Sequence, residues 1–288
     1  KTEIIPTEIQ GLISKPVTGP SVLSINDERL TKRVNPLKLG IEKYSYCSHP
    51  FPQRHRIIVN DSMKDELRLM IRARRPEPLT LEQAVLGIPE IEGYERLPKN
   101  TSPGYPWILT RPTGAHGKDY LFDETSGLPL FDLKEAVTYR EEQARKLERV
   151  VSVWVDCKKD ERRPFDKIAK GSTRIFTIPP VDYSLLMRKY TLDFCVAVKD
   201  SRHFMDCKVG IDPQSLEWTT LYYYLSEFSN ICVAGDFSRF DGSMPAELID
   251  DVREDIDYYY ETFGMCSEED KNVRRTLFDE LIHTIHLA

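Results

Sequence analysis

Several signatures are missing from these 288 residues, and each absence removes a class of chemistry. None of the 14 glycines builds GxGxxG, and no GxxxxGK[ST] occurs, so neither a Rossmann nor a P-loop phosphate cradle is expected. The run Ala169-Lys170-Gly171-Ser172-Thr173 matches only the tail of a P-loop. HExxH and GxSxG are absent as well. Apolar runs stop short of the roughly 18–20 residues that cross a bilayer, and Lys1-Thr2-Glu3 opens no signal peptide. Cysteine is sparse: Cys47, Cys157, Cys195, Cys207, Cys232 and Cys266 form no CxxC pair. They read as reduced core thiols of a cytosolic protein rather than as a metal or disulfide framework. His283 and His286 sit three apart, which suits metal ligation on a helix, but a lone pair of this kind reads as ordinary surface or core.

What is present can build a sizeable core. The chain is 40% hydrophobic and 30% charged, long enough for about two domains or one large one. Its net charge of −6 conceals an asymmetry. Between Asp156 and Arg174, seven basic residues face four acidic ones. Between Asp241 and Asp270, eleven acids face Arg253 alone, the pattern of a solvated helix face. Global acidity argues against a nonspecific nucleic-acid coat, yet it permits a local basic channel, because phosphate binding follows local charge.

Turn and cap residues divide the chain. The first sixty residues are rich in proline and read as extended segments lying on something else. Asp61-Ser62 is expected to cap a helix to Arg74, and Thr80-x-x-Gln83 is a capping box. Residues 98–131 read as a long loop, followed by a charged helix from Asp132 to about Arg149 and a strand over Val151–Val155. Arg174–Ile178 reads as a strand, Asp182 as the cap of a helix to Val198, and Asp212-Pro213 as the start of a helix to Phe228. Ile231–Phe237 has the β-branched composition of a buried strand. Helices are expected over 245–262 and 268–286, the second opened by the capping box Ser267-x-x-Asp270. No repeat or linker is visible, so the parts are expected to pack as one body.

Three segments carry groups that can do chemistry. Ile231 to Asp241 delivers Asp236 to the end of an apolar strand, with Asp241 five residues on. The spacing alone means nothing, because Asp250 and Asp255 share it inside a helical pattern. Position matters more: carboxyl ends of strands are where α/β sites form, and hard oxygens there suit Mg²⁺. The plain alternative is a helix cap and a turn aspartate. Lys158 through Arg174 places basic residues on an extended ribbon that can line a phosphate path, the alternative being a solvated hairpin. Thr101-Ser102-Pro103-Gly104-Tyr105-Pro106-Trp107 offers hydroxyls, a glycine and aromatics.

In this order the three segments resemble the RNA-dependent RNA polymerases of picorna-like viruses. Thr101 to Pro106 is similar to the template-guiding motif G, and Lys159-Asp160-Glu161 through Arg174 to motif F. Asp236-Phe237-Ser238-Arg239-Phe240-Asp241 is similar to motif A, DxxxxD. Thr7 to Leu30 looks like the N-terminal fingers segment, Val209 to Pro213 like the VGxxP stretch before motif A, and His283 to Leu287 like the helix before motif B. The likeness is collinear over nearly the whole chain, and within the group it points to an insect iflavirus or a dicistrovirus.

The resemblance implies an α+β, right-hand polymerase fold. Fingers would cover 1–185, with an index-finger segment over 1–60, motif G at 101–107 and motif F at 158–176. The first part of the palm would cover 186–288, with motif A at 236–241. It implies template-directed nucleotidyl transfer with two Mg²⁺ (or Mn²⁺) ions about 3.5–4 Å apart. Asp236 would ligate metal beside the Phe237 carbonyl, and Asp241 would read the ribose 2′-OH. Lys159, Arg163, Lys167 and Arg174 would guide the triphosphate, with Glu161 orienting Arg174. Ser102 and Gly104 would lie along the template. The implied partners are RNA template and primer, nucleoside triphosphates and other viral replication proteins. The implied setting is a replication complex in the host cytoplasm, after release from a polyprotein.

Two departures stand out. Ser172 replaces the family's lysine two residues before the last motif F arginine, with Lys170 as a candidate substitute. No SGxxxT motif B, GDD motif C or thumb is found, so this chain is expected to be an incomplete and inactive fragment. A non-enzymatic RNA-binding protein remains the alternative. A Mg²⁺-dependent phosphohydrolase built on Asp236 lacks DxDxT spacing and a general base.

Overall fold

The structure, a computed structural model, describes residues 2–12, 15–45 and 49–288. Short elements come first: β1 (Thr18–Pro20), α1 (Pro36–Ile41), α2 (Gln53–Arg68) and α3 (Leu81–Leu86). After the loop come α4 (Phe131–Arg145), β2 (Val153–Lys158), β3 (Arg162–Pro164), α5 (Phe165–Ala169), β4 (Ile175–Ile178) and α6 (Val181–Asp200). The last part holds α7 (Glu217–Ser226), α8 (Phe240–Ser243), α9 (Ala246–Phe263), α10 (Glu268–Ile282) and β5 (Ile285–Leu287).

Helix α6 is the hub, because it contributes to every buried cluster. Val181 and Leu185 pack with Val85, Leu121, Leu133 and Val137 from α3, the loop and α4. Tyr183, Leu186 and Tyr190 pack with Ala144, Trp154, Val273 and Leu277. Ala197 joins Leu67, Met70, Ile256, Tyr259 and Phe278, which ties α2, α9 and α10 to its far end. An apolar stripe this wide on one helix lets a single element bury three neighbours.

The strands form two small sheets. In one, β2 lies between β4, antiparallel to it, and β5, parallel to it. In the other, β1 pairs antiparallel with β3, with Gly19 opposite Arg163. Around that pair the N-terminal stretch clamps the basic segment: Ser21 Oγ donates to the Lys159 carbonyl at 2.7 Å and Thr173 Oγ1 to the Val22 carbonyl at 2.6 Å. The stretch around Ser21 thus lies on the motif F-like segment, whereas Pro36–Ser45 and the chain from Gln53 are helical rather than extended.

Both capping boxes form. Gln83 N donates to Thr80 Oγ1 at 3.1 Å and Asp270 N to Ser267 Oγ at 3.1 Å, with both reciprocal bonds made. Residues 98–130 are loop apart from 3₁₀ turns at Trp107–Thr110 and Asp119–Leu121, and α4 takes in Phe131.

Other expectations need correction. Helix α2 starts at Gln53, not Asp61, and ends at Arg68, short of Arg74. Its early turns are held by Arg56, whose guanidinium makes bonds of 2.6 and 2.8 Å to Asp251 of α9. Asp182 caps nothing; α6 begins after Pro180, and the carboxylate turns inward to Arg140. The basic ribbon is interrupted by α5. The helix expected after Asp212 starts only at Glu217, because Asp212 is spent in a turn that accepts from Gln214 N at 2.9 Å. The final helix stops at Ile282, and Ile285–Leu287 leaves it to join β2.

The largest difference concerns Ile231–Phe237, which is not a strand and is not buried. Ile231, Val233 and Phe237 are 84%, 97% and 78% exposed. A strand needs a ladder partner for its backbone groups, and among the described residues Ile231–Phe237 pairs with none of the five strands. The cysteines also depart from expectation: Cys195 and Cys232 are exposed and Cys157, Cys207 and Cys266 only part-buried, while Cys47 lies outside the described residues. Among the described residues, no helix is long and apolar enough to cross a membrane.

The acidic face of α9 is partly interior. Asp255 is 7% exposed, and its Oδ1 has no hydrogen-bond partner among the described residues. Burial, aided by the charges of Asp251 and Glu254 and opposed by Lys64, raises its pKa from 3.8 to about 6. The protonated form therefore favours the fold fully below 3.8, and that contribution is lost as pH rises through about 6. Asp255→Asn is expected to raise stability at pH 7.5 by about 1 kcal/mol, after allowance for solvent screening. Urea unfolding at pH 4.5 and 7.5 checks this. An equal gap between variant and parent at both pH values would contradict it.

Candidate functional site

A cavity of about 850 Å³ opens where the motif F-like segment meets the motif A-like one. Arg163, Lys167, Lys170 and Arg174 line it together with Asp236 and Asp241. Four elements bring these groups together. Strand β3 presents Arg163, α5 presents Lys167, the turn after α5 presents Lys170, and Arg174 leads into β4.

Arg174 is held by Glu161, whose carboxylate accepts from both Nε and one Nη of the guanidinium. Those bonds keep the Glu161 carboxyl below its ordinary pKa. Lys159 Nζ and Arg163 Nη1 stand 3.5 and 3.9 Å from the same carboxylate. One acid therefore organises three cations, while Arg174 remains 59% exposed at its side chain. Lys159 itself does not line the cavity. It is exposed, and its amide is spent on the Arg174 carbonyl at 2.8 Å.

Asp236 is exposed on its irregular segment, and the rings of Phe237 and Phe240 pack near it with centroids 5.7 Å apart and planes tilted by 47°. Arg239 takes φ 57, the left-handed conformation that turns the chain into α8 and brings Asp241 back toward the cavity. Asp241 forms an ion pair with Lys43, which comes from the N-terminal segment and also lines the cavity. Gly242 makes that approach possible: a Cβ there would stand 2.6 Å from the Lys43 carbonyl.

The motif G-like residues separate. Ser102 is part-exposed, whereas Gly104 is buried with φ +75, and a Cβ on it would meet the Pro179 carbonyl at 2.3 Å. Gly104 thus seats the loop against the start of α6, an approach that only glycine permits.

A family profile described as viral RNA-dependent RNA polymerase matches residues 8–287. The chain belongs to that family. The genome polyprotein of Rice tungro spherical virus (strain Vt6) is 34% identical over 298 residues, covering 98% of this chain and 8% of the polyprotein. That of Deformed wing virus is 30% identical over 284 residues, covering 94% and 10%. Among solved structures, Sicinivirus 3Dpol RNA dependent RNA polymerase superposes with a TM-score of 0.72 at 20% identity, over 96% of this chain and 54% of that one. The α+β architecture is thus that of a viral RNA-dependent RNA polymerase, and the chain spans about half of that neighbour and about a tenth of the polyproteins.

Within this polymerase chain, sequence reasoning overlooked Lys43 and Arg239 as cavity residues. Lys43 lies 198 residues from Asp241, and nothing in its local sequence marks it. Arg239 stands inside the motif A-like run, and only its backbone conformation sets it apart.

Proposed function

We propose that this chain is the fingers and early palm of a viral RNA polymerase that carries out template-directed nucleotidyl transfer. The observation that carries the reading is the shared cavity, which six cations and two carboxylates line together. A triphosphate needs both, cations for its oxygens and carboxylates on its metal side. In this reading residues 1–185 are the fingers and 186–288 the start of the palm. Arg163, Lys167, Arg174 and, from outside the cavity lining, Lys159 steer the triphosphate. Lys170 lines the same cavity, supplying a lysine where Ser172 does not. Glu161 sets the orientation of Arg174, Asp241 reads the ribose 2′-OH, and Ser102 faces the template while Gly104 holds that loop in place.

Asp236 and the Phe237 carbonyl are hard oxygen donors at exposed positions, a fit for Mg²⁺ or Mn²⁺, which accept one or two carboxylates with water and phosphate completing the shell. When bound, two such ions stabilise the attacking and leaving oxygens. Among the described residues no three His, Cys, Asp or Glu cluster, so Asp236 offers part of a coordination shell. The chain alone is therefore expected to bind RNA without incorporating nucleotide. The partners in this reading are RNA template and primer, nucleoside triphosphates and the other viral replication proteins. The setting is a cytoplasmic replication complex, reached after release from a polyprotein.

The test is the salt dependence of RNA binding by the purified chain. Three to five phosphate contacts from the cavity wall give a slope of log affinity against log salt of roughly −2 to −3.5 for single strands. Fluorescence anisotropy at several salt concentrations reads this directly. Salt-independent binding would remove the phosphate channel. Nucleotide incorporation by a chain shown by mass to end at Ala288 would show that Asp236 needs no further ligands.

A further inference from the structure

A second, smaller recess lies at the other end of β4. It holds about 230 Å³, lined by Thr101, Ser102, Lys118, Thr177 and Ser184. Lys118 is the unusual member. It is only 7% exposed, yet its ammonium donates to Thr101 Oγ1 at 2.8 Å and joins no salt bridge among the described residues. Burial lowers its pKa, and no neighbouring charge counters that effect. A buried lysine without a counter-ion is costly unless an anion meets it.

The hydrogen-bond inventory shows what the recess offers. Thr177 gives its proton to Asp156 at 2.7 Å and Ser184 gives its own to the Pro180 carbonyl at 3.1 Å. Thr101 donates to the Pro98 carbonyl at 3.3 Å. Ser102 Oγ accepts from Gly104 N at 3.3 Å, which leaves its hydroxyl proton uncommitted. An ammonium has three donors, and two remain on Lys118. A cation and a hydroxyl donor side by side are the usual furniture of a phosphate contact.

Position selects the source of the phosphate. From Arg174, just before β4 and at the large cavity, to Thr177 within β4 and at this recess, the chain spans about 10 Å at 3.3 Å per residue. The two sites are therefore neighbours along the chain of β4. We infer that Lys118, with the Ser102 hydroxyl, holds one phosphate of single-stranded RNA on its way to the cavity. The inference rests on the polymerase reading and adds a binding residue that no motif marks.

Lys118→Gln tests it by anisotropy with labelled oligo(U). The salt slope of the variant should be shallower by about 0.7, so that the affinity ratio of parent to variant shrinks about 2.6-fold between 50 and 200 mM salt. Lys118→Arg should keep the parental slope. Should Lys118→Gln melt early, Ser102→Asp is the second probe, because a carboxylate at the lip neutralises the ammonium and should cost the same slope. An unchanged slope in a folded Lys118→Gln or in Ser102→Asp overturns the inference while leaving the polymerase reading intact. Failure of the parent chain to bind oligo(U) overturns both.

Discussion

Asp236→Asn is expected to abolish primer extension by the polymerase that contains this chain, with RNA affinity changed less than twofold. The substitution keeps the side chain's size and removes the charge that a divalent ion requires. Metal-centred stabilisation is worth several kcal/mol, and about 4 kcal/mol corresponds to roughly a thousandfold in rate. RNA binding should be spared because in the proposed reading the phosphate contacts come from Arg163, Lys167, Lys170 and Arg174, which line the same cavity. A primer-extension gel and an anisotropy titration separate the two quantities. Extension at a tenth of the parental rate would remove the ligand role, and a large loss of RNA affinity would mean that Asp236 shapes the channel.

Asp182→Ala is expected to cost about 3–5 kcal/mol of stability, the typical result of breaking one side of a buried ion pair. Arg140 and Asp182 are each 6% exposed. Arg140 Nε and Nη2 reach Asp182 Oδ2 at 2.9 and 2.8 Å, and Trp107 Nε1 donates to Oδ1 at 2.8 Å. The substitution strands a guanidinium whose one remaining bond is to the Val150 carbonyl, at 2.6 Å. Urea denaturation measures the loss, and Arg140→Met in the same chain should restore much of it by removing the orphaned charge. A cost below about 1 kcal/mol would show that water reaches the pair.

Local chemistry was legible. Thr80 with Gln83 and Ser267 with Asp270 announce their helices because the bonds involved span three residues and need nothing else. The motif-like runs were legible for the same reason, since spacing along the chain already states which groups travel together. Asp182 was not. It sits where a cap is common, yet Arg140, 42 residues away, decides its direction. Helix α2 begins eight residues before its expected cap because Arg56 meets Asp251 across 195 residues. Asp250 and Asp255 shared the motif spacing without its meaning, and burial against α2 turned Asp255 into a proton-binding core residue.

The amino-acid sequence by itself determined the polymerase family, the α+β class and the candidate residues on each side of the site. These depend on residue type and order, which folding does not alter. Only the tertiary structure decided which of those residues meet. It placed Arg163, Lys167 and Arg174 in one cavity with Asp236 and Asp241, left Lys159 outside its lining, and turned Gly104 into a packing joint. It brought Lys43 to Asp241 and left Lys118 buried without a partner charge. It also left Ile231–Phe237 unpaired despite its strand-like composition. Apolar alternation states that a segment prefers burial and pairing, whereas the partner that satisfies it is a property of the whole assembly of elements.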